Sequence, residues 1–249
     1  MVNASQGMRD KASFIVSVVV AILLVLTLHE YGHFSELRKR GIGVQEFSIG
    51  IGPVLYQYQP GPTAYSLRLI PVMAYVLPSD EGEKVFAKIP FKERCIVLSA
   101  GVRNNIVADV GGVAVLQMLS LRSGIFSAGY MARQMLLLPV RIAVLYFAFF
   151  ISFFTQRGSL LFEQFRFPVK TERYYNTHIN RFIWWSFAIG FLNCMPLWGL
   201  DGAKIFFEAL SPHLGTLFAA YTPTAMSIFF FFVMFVGIRV DEVIDYAND

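Results

Sequence analysis

The sequence predicts an all-α polytopic membrane protein with a small, membrane-associated β-hairpin insertion. Of its 249 residues, 55% are hydrophobic and only 15% are charged, whereas about a quarter of the residues in a soluble domain are charged. Several apolar runs come close to the roughly 20 residues that a membrane-spanning helix needs. Between the first two runs, one stretch alternates apolar with small or polar residues, which is the pattern of a β-strand.

The apolar runs indicate a single membrane domain that covers residues 1–249. Its two cysteines, Cys95 and Cys194, are too few for a disulfide-rich scaffold. The expected elements, in chain order, are a first helix at 12–37, a β-loop at 44–76, a second core helix at 95–121, an extra apolar or re-entrant segment at 131–154, a third core helix at 181–210 and a C-terminal span at 217–238.

The β-loop is predicted from alternation and from its turn residues. Phe47, Ile49 and Ile51 alternate with small or polar residues, and Gly and Pro punctuate the segment. Seven Lys and Arg residues lie within residues 38–93, and basic loops favour the cytoplasmic side of a membrane. The net charge of +4 comes without a long basic run, so it indicates a topology bias, and no nucleic-acid partner is expected.

The first apolar run ends in the sequence His29-Glu30-Tyr31-Gly32-His33. Residues four apart share one face of a helix, so both imidazoles can bind the same zinc ion while Glu30 stands beside it as a general base. Ionisable residues at the end of a membrane helix are costly unless they bind or pair with something. The motif therefore predicts a zinc site.

A catalytic zinc ion usually has three protein ligands, so one more is needed. Asp201 follows a break within the apolar segment of the predicted third core helix. Irregular backbone at membrane depth survives only where it lines a cavity in the protein. We therefore expect Asp201 to be the third ligand. The other candidates are His178, His213, Cys194 and Asp109.

Four segments together resemble the site-2 protease family, the zinc intramembrane metalloproteases. His29 to His33 matches the HExxH motif of the family, and Ser99-Ala-Gly101-x-x-x-Asn105 resembles its AGPxxN motif. Asn193-x-x-Pro196-x-x-x-x-Asp201-Gly202 resembles its NxxPxxxxDG motif, and the segment 65–76 resembles its β-loop, which ends in PxGGYV. The resemblance covers residues 12–121 and 180–238.

The resemblance implies a three-helix catalytic core with flanking helices and a zinc-dependent endopeptidase that cleaves the transmembrane helices of membrane-anchored substrates. It implies that His29, His33 and Asp201 bind Zn²⁺, that Glu30 is the catalytic base, and that Asn105 and Asn193 bind substrate or the oxyanion. The expected partners are single-pass transmembrane proteins and the lipid bilayer. The expected location of this protein is the inner membrane of a bacterium, with its active site towards the cytoplasm.

The chain departs from the family pattern at several positions. Val102 and Arg103 replace a proline and a small apolar residue, Met73 and Ala74 replace paired glycines, and Trp198 replaces a proline. Residues 122–180 are too few and too apolar for the PDZ module of many bacterial members, so a regulatory partner in its place is expected. These departures leave open an alternative, a weakly active or inactive member that acts as a membrane zinc-binding scaffold or chaperone, although an intact Glu30 argues against it.

Two further questions remain open at this point. If His29 and Asp201 share one zinc, the first and third core helices run parallel, and residues 122–180 cross the membrane an even number of times. The segment 131–154 resembles one full span, however, so we expect it to be re-entrant or interfacial; the alternative is an ordinary span with Asp201 not a ligand. The second question is whether the chain is instead a transporter or ion channel that uses the intramembrane polar residues Arg103, Asp109 and Arg141 as a path. That alternative leaves the HExxH motif unexplained.

Overall fold

The computed structural model describes residues 4–122, 136, 173–216 and 221–228. The predicted segment at 131–154 lies outside the described residues except for residue 136, and residues 221–228 are the described part of the predicted span at 217–238. The elements are α1 (Ala4–Lys39), β1 (Val44–Tyr58), β2 (Ala64–Pro78), α2 (Asp80–Lys88), α3 (Phe91–Leu98), α4 (Ala100–Arg122), α5 (Arg173–Cys194) and α6 (Asp201–Leu214).

One face of helix α1 packs against the rest of the protein, and another face is apolar and exposed. Ala21, Val25 and His29 recur at every fourth position and are buried, as expected for one stripe of a helix. In the described ranges, its stretch Ala12–Lys39 is the one helix that is long and apolar enough to cross a membrane, so the predicted multi-pass arrangement stays a prediction. Its exposed apolar residues include Phe14, Ile15, Val16, Val20 and Leu24.

Helices α1, α4 and α5 pack against one another and form the helical core. Val113, Leu116 and Ile183 are buried between α4 and α5. Gly112 allows this close approach, because a Cβ at that position would lie 2.7 Å from Ile183 Cγ1. Gly32 does the same between α1 and the start of α4, where a Cβ would lie 2.4 Å from the carbonyl oxygen of Ala100.

Strands β1 and β2 form the predicted hairpin and pair antiparallel. Residues 46–49 of β1 are paired on both sides: Phe47, for example, has partners at both Val76 and Tyr65, so this segment lies between the two halves of β2. The ring of Phe34 on α1 meets Phe47 and Tyr65 edge-on, with centroids 5.5 and 6.0 Å away. These contacts fix the hairpin beside the turn of α1 that carries the HExxH motif.

The two ends of the hairpin meet where it joins the helices. The N–H of Ser79 donates to the carbonyl of Gly43 at 2.9 Å, and the side chain of Ser79 accepts from the N–H of Gly82 as an N-cap of α2. A Cβ at Gly82 would lie 2.2 Å from the Gly43 carbonyl oxygen. The chain therefore leaves and re-enters the helical core at one place.

Two predicted helices are interrupted in the structure. The predicted range 95–121 is divided between α3 and α4 at Ser99. The predicted range 181–210 is divided between α5, which already begins at residue 173, and α6. Gly199 lies in the second break with φ +87°, a left-handed conformation that a residue with a Cβ rarely adopts. This break sets Asp201 at the first position of α6.

Candidate metal centre

The HExxH turn of α1 places two imidazoles beside the carboxylate of Asp201. His29 Nε2 lies 3.0 Å and His33 Nε2 lies 2.8 Å from Asp201 Oδ2, and the two Nε2 atoms are 3.4 Å apart. His29 and Asp201 are 3% exposed. Within the described residues, these three are the group of His, Cys, Asp and Glu side chains whose ligand atoms converge, all within 4.8 Å of one another.

The tautomer of His33 suits a metal ligand. Its Nδ1 lies 2.9 Å from the carbonyl oxygen of Val97, which can only accept, so Nδ1 carries the proton. In the neutral ring, Nε2 then presents a lone pair to the carboxylate oxygen and to His29. His33 Nε2 and the Asp201 carboxylate oxygen thus both offer electron pairs to one point, an arrangement that favours a cation there, and a second hydrogen bond like that of His33 Nδ1 is typical of zinc-binding histidines.

The spacing of the three atoms agrees with zinc coordination. Ligands 2.0–2.1 Å from a tetrahedral ion are about 3.3 Å apart. The observed separations of 2.8, 3.0 and 3.4 Å need shifts of only a few tenths of an ångström to reach that value. His29, His33 and Asp201 are therefore positioned as ligands of a zinc ion.

Gly101, at the start of α4, lies directly against the two imidazoles. A Cβ at this position would lie 2.3 Å from His29 Nε2 and 2.5 Å from His33 Nε2, close to the distances at which zinc binds nitrogen. Any side chain at position 101 would displace at least one of the two imidazoles. The glycine of the AGPxxN-like motif thus shapes the metal centre itself.

Glu30 follows the first histidine and is partly exposed. It lies within electrostatic range of both histidines, of Asp201 and of Lys204. The structure therefore brings the predicted base and the three predicted ligands into one cluster. Its role as base stays a prediction.

The two predicted asparagines lie in different surroundings. Asn193 Oδ1 accepts from the Asp201 N–H at 3.4 Å, and its Nδ2 donates to the carbonyl of Ile189 at 3.0 Å. Asn105 is fully buried, and within the described residues neither polar atom of its side chain has a hydrogen-bond partner. Their roles towards substrate stay predictions.

Sequence reasoning did not assign a role to Lys204, which contacts this cluster, or to Asn104, which bonds to the residue before His29. Lys204 Nζ lies 3.0 Å from Asp201 Oδ1, and its position three residues after Asp201 on a helix is the signal that points to the contact. Asn104 Nδ2 donates to the carbonyl oxygen of Leu28 at 2.9 Å. Nothing local in the sequence distinguishes Asn104 from its neighbour Asn105.

Comparison with known proteins identifies the family. A model of peptidase family M50 matches residues 17–236. Bacterial proteins provisionally named as zinc metalloproteases are similar to parts of this chain: one from Nostoc sp. is 38% identical over 119 residues, one from Synechocystis sp. is 32% identical over 122 residues, and one from Clostridium perfringens is 35% identical over 100 residues.

These alignments cover 41%, 44% and 38% of this chain and 33%, 33% and 30% of the respective relatives. The chain thus matches about a third of the length of these curated relatives. The family match, in contrast, extends over most of the chain, and it includes both halves of the metal centre, the HExxH turn of α1 and Asp201 of α6. On this evidence, the chain belongs to peptidase family M50.

Proposed function

We propose that this protein is a zinc-dependent intramembrane endopeptidase that cleaves transmembrane helices of membrane-anchored substrates. The observation that carries the proposal is the location of the metal centre. Its two histidines and its candidate base lie on α1, which has the length and composition of a membrane span. Only 17% of the apolar window of α1 is buried against the rest of the described protein, whereas the core helix of a soluble protein is mostly buried.

The position of His29 along α1 supports chemistry below the membrane surface. At 1.5 Å per residue, His29 is about 25 Å from Ala12 and about 15 Å from Lys39. The hydrocarbon core is about 30 Å thick and the bilayer with its headgroups about 40–45 Å. A centred span thus sets His29 several ångström inside the hydrocarbon layer, on the side where α1 ends.

The residues of the centre have separate tasks in the proposed reaction. Zinc, when bound, supplies a Lewis acid that lowers the pKa of water and polarises a carbonyl oxygen. His29, His33 and Asp201 hold the ion, and the Val97 carbonyl keeps the His33 lone pair directed at it. Glu30 accepts the proton of the attacking water and then delivers it to the amine that leaves.

We assign Asn105 and Asn193 to the substrate or the oxyanion. A developing negative charge on the carbonyl oxygen needs hydrogen-bond donors. The side-chain amide of Asn105 is buried and has no described partner, so it has a donor to offer. The amide of Asn193 now donates to Ile189, so it must exchange that bond to take part.

We assign β2 to substrate capture. A peptide bond in a helix is shielded, so the substrate must unwind before attack, and an extended segment can pair with a strand edge. In β2 the edge available for this is residues 74–77, which have partners on one side only, whereas residues 65–67 have partners on both sides. The contacts of Phe34 with Phe47 and Tyr65 keep the hairpin next to His33. Apolar side chains of β2 are exposed, among them Leu67, Leu69, Ile70 and Met73, and they match an apolar substrate.

For the location, we propose the bacterial cytoplasmic membrane with the centre towards the cytoplasm. The basic residues of 38–93 follow the end of α1 that carries the metal centre. A regulatory partner in place of a PDZ module belongs to the same proposal.

The test is a cleavage assay with the purified full chain in lipid vesicles. The probe is a labelled single-pass peptide with helix-weakening Gly and Asn residues in the half of its span near the cytoplasmic face, and soluble casein serves as the control substrate. We expect zinc-dependent cleavage of the peptide within its span and none of casein. Cleavage of casein with the peptide left intact would refute the intramembrane assignment.

Glu30→Gln tests the base and separates protease from scaffold. This variant keeps all three zinc ligands, so we expect a full zinc content together with a fall in turnover of at least 100-fold. Undiminished turnover would exclude Glu30 as the base. A wild-type chain that binds zinc but cleaves neither probe would favour a non-catalytic role.

A further inference from the structure

We infer that Lys204 is a positioning residue that keeps Asp201 a one-oxygen ligand of the metal. The inference rests on the zinc site of the proposed function and adds to it a determinant of coordination number. It concerns the side of the Asp201 carboxylate that faces away from the two histidines.

The two oxygens of Asp201 have different partners. Oδ2 faces the imidazoles, 3.0 Å from His29 and 2.8 Å from His33. Oδ1 lies 3.0 Å from Lys204 Nζ. Because Lys204 is three residues further along α6, its side chain lies over the same face of the helix as Asp201.

The other contacts of Asp201 involve Oδ2 or the main chain and leave Oδ1 to Lys204. Asn193 Oδ1 accepts from the backbone N–H of Asp201 and so fixes the main chain. Of the described side chains, Lys204 is the one with a recorded hydrogen bond to Oδ1. The side chain of Lys204 is 56% exposed, so burial does not hold it there; the charge of the carboxylate does.

Without this contact, the carboxylate is free to turn both oxygens towards the ion. Zinc readily expands from four to five ligands, and a second carboxylate oxygen would occupy a position that water or the substrate carbonyl needs. The contact of Lys204 with Oδ1 therefore reserves an open position at the metal. The same ammonium group lies within electrostatic range of Glu30.

The test is X-ray absorption at the zinc edge of the purified, zinc-loaded full chain, which counts the neighbouring N and O atoms. Lys204→Met removes the ammonium group, and Lys204→Arg keeps a cationic donor. The matched control is Glu208→Gln, which breaks the ion pair of Glu208 with Arg94 (2.8 Å) one turn further along α6 without touching Asp201. Zinc affinity is measured in parallel by competition with a chelator.

We expect one additional oxygen neighbour in Lys204→Met and a fall in zinc affinity of about 10-fold. Lys204→Arg and Glu208→Gln should keep the wild-type coordination and affinity. Unchanged coordination in a zinc-bound Lys204→Met variant would overturn the inference and leave the proposed function intact. A wild-type chain that binds no zinc would instead overturn the proposed function and, with it, this inference.

Discussion

Replacing Gly101 with alanine should expel the metal ion. The added methyl group would lie 2.3 Å from His29 Nε2, 2.5 Å from His29 Cε1 and 2.5 Å from His33 Nε2. Ordinary contact between such atoms requires at least about 3.4 Å, because carbon atoms pack best at about 3.5–4.0 Å. At least one imidazole therefore has to retreat by about 1 Å, which breaks its bond to zinc.

The size of the loss in zinc affinity follows from the contribution of one ligand to the zinc-binding free energy. Four-ligand structural zinc sites bind with about 10–16 kcal/mol, so one ligand corresponds to about 3 kcal/mol. That loss lowers zinc affinity by at least about 100-fold. The assay measures zinc content by mass spectrometry and affinity by chelator competition on the purified full chain.

The control is Gly111→Ala on the same helix. Nothing lies within 4 Å of a Cβ at Gly111, so this variant should keep its zinc and gain about 0.5–1 kcal/mol of stability from alanine in a helix. If Gly101→Ala binds zinc as tightly as the wild type, the ion does not occupy the space beside Gly101, and the placement of the centre is wrong.

Three further predictions follow from the described contacts. Asp109→Leu should raise the free energy of unfolding by about 1–3 kcal/mol, since this buried carboxylate interacts with the hydroxyl of Ser186, which already donates to the carbonyl of Asn105, and neither of its oxygens is within normal hydrogen-bond distance of a described donor; a loss of stability on denaturant titration would show that the carboxylate is better satisfied than this. Burial alone would raise the pKa of Glu46, but hydrogen bonds from Arg68 and Tyr75 outweigh burial and lower the pKa below 4.5. Its contribution to hairpin stability is thus complete above about pH 4.5 and lost as pH falls further, so hydrogen exchange of the hairpin should quicken there in the wild type and not in Glu46→Gln. Leu77→Pro removes an N–H from the segment of β2 that is paired on one side only and should reduce cleavage of the membrane peptide at least 10-fold, whereas Leu77→Ala should not; equal rates would count against strand pairing at this edge.

The elements that depend on local spacing could be predicted from the sequence. The i, i+4 histidines and the intervening glutamate lie on one turn of α1, and the alternation around Phe47 became strand β1. Asp201 was predicted from the helix break before it and from a resemblance, because no local pattern connects residues 33 and 201.

The features that depend on packing between distant segments could not be predicted. The need for Gly101 arises only when α4 meets α1, and the tautomer of His33 depends on the carbonyl of Val97, 64 residues away. The sequence around Ser99 has no proline, and Gly101 alone does not predict the interruption, which lies where Ala100 packs against Gly32. Composition and periodicity carry no information about such approaches.

The junction of Gly43 with Ser79 and Gly82 separates two tasks of the chain. The two ends of the hairpin are held together by the hydrogen bond between Ser79 and Gly43. Its length can therefore change at a small entropic cost, because doubling the length of a closed loop costs only about 0.6 kcal/mol. Insertions or exchanges between residues 44 and 78 would then alter which peptides are admitted, while the hydrolytic centre on the helices keeps its geometry. On the proposed function, substrate specificity can therefore evolve, or be engineered, by exchange of the hairpin while the helices that carry the metal centre stay the same.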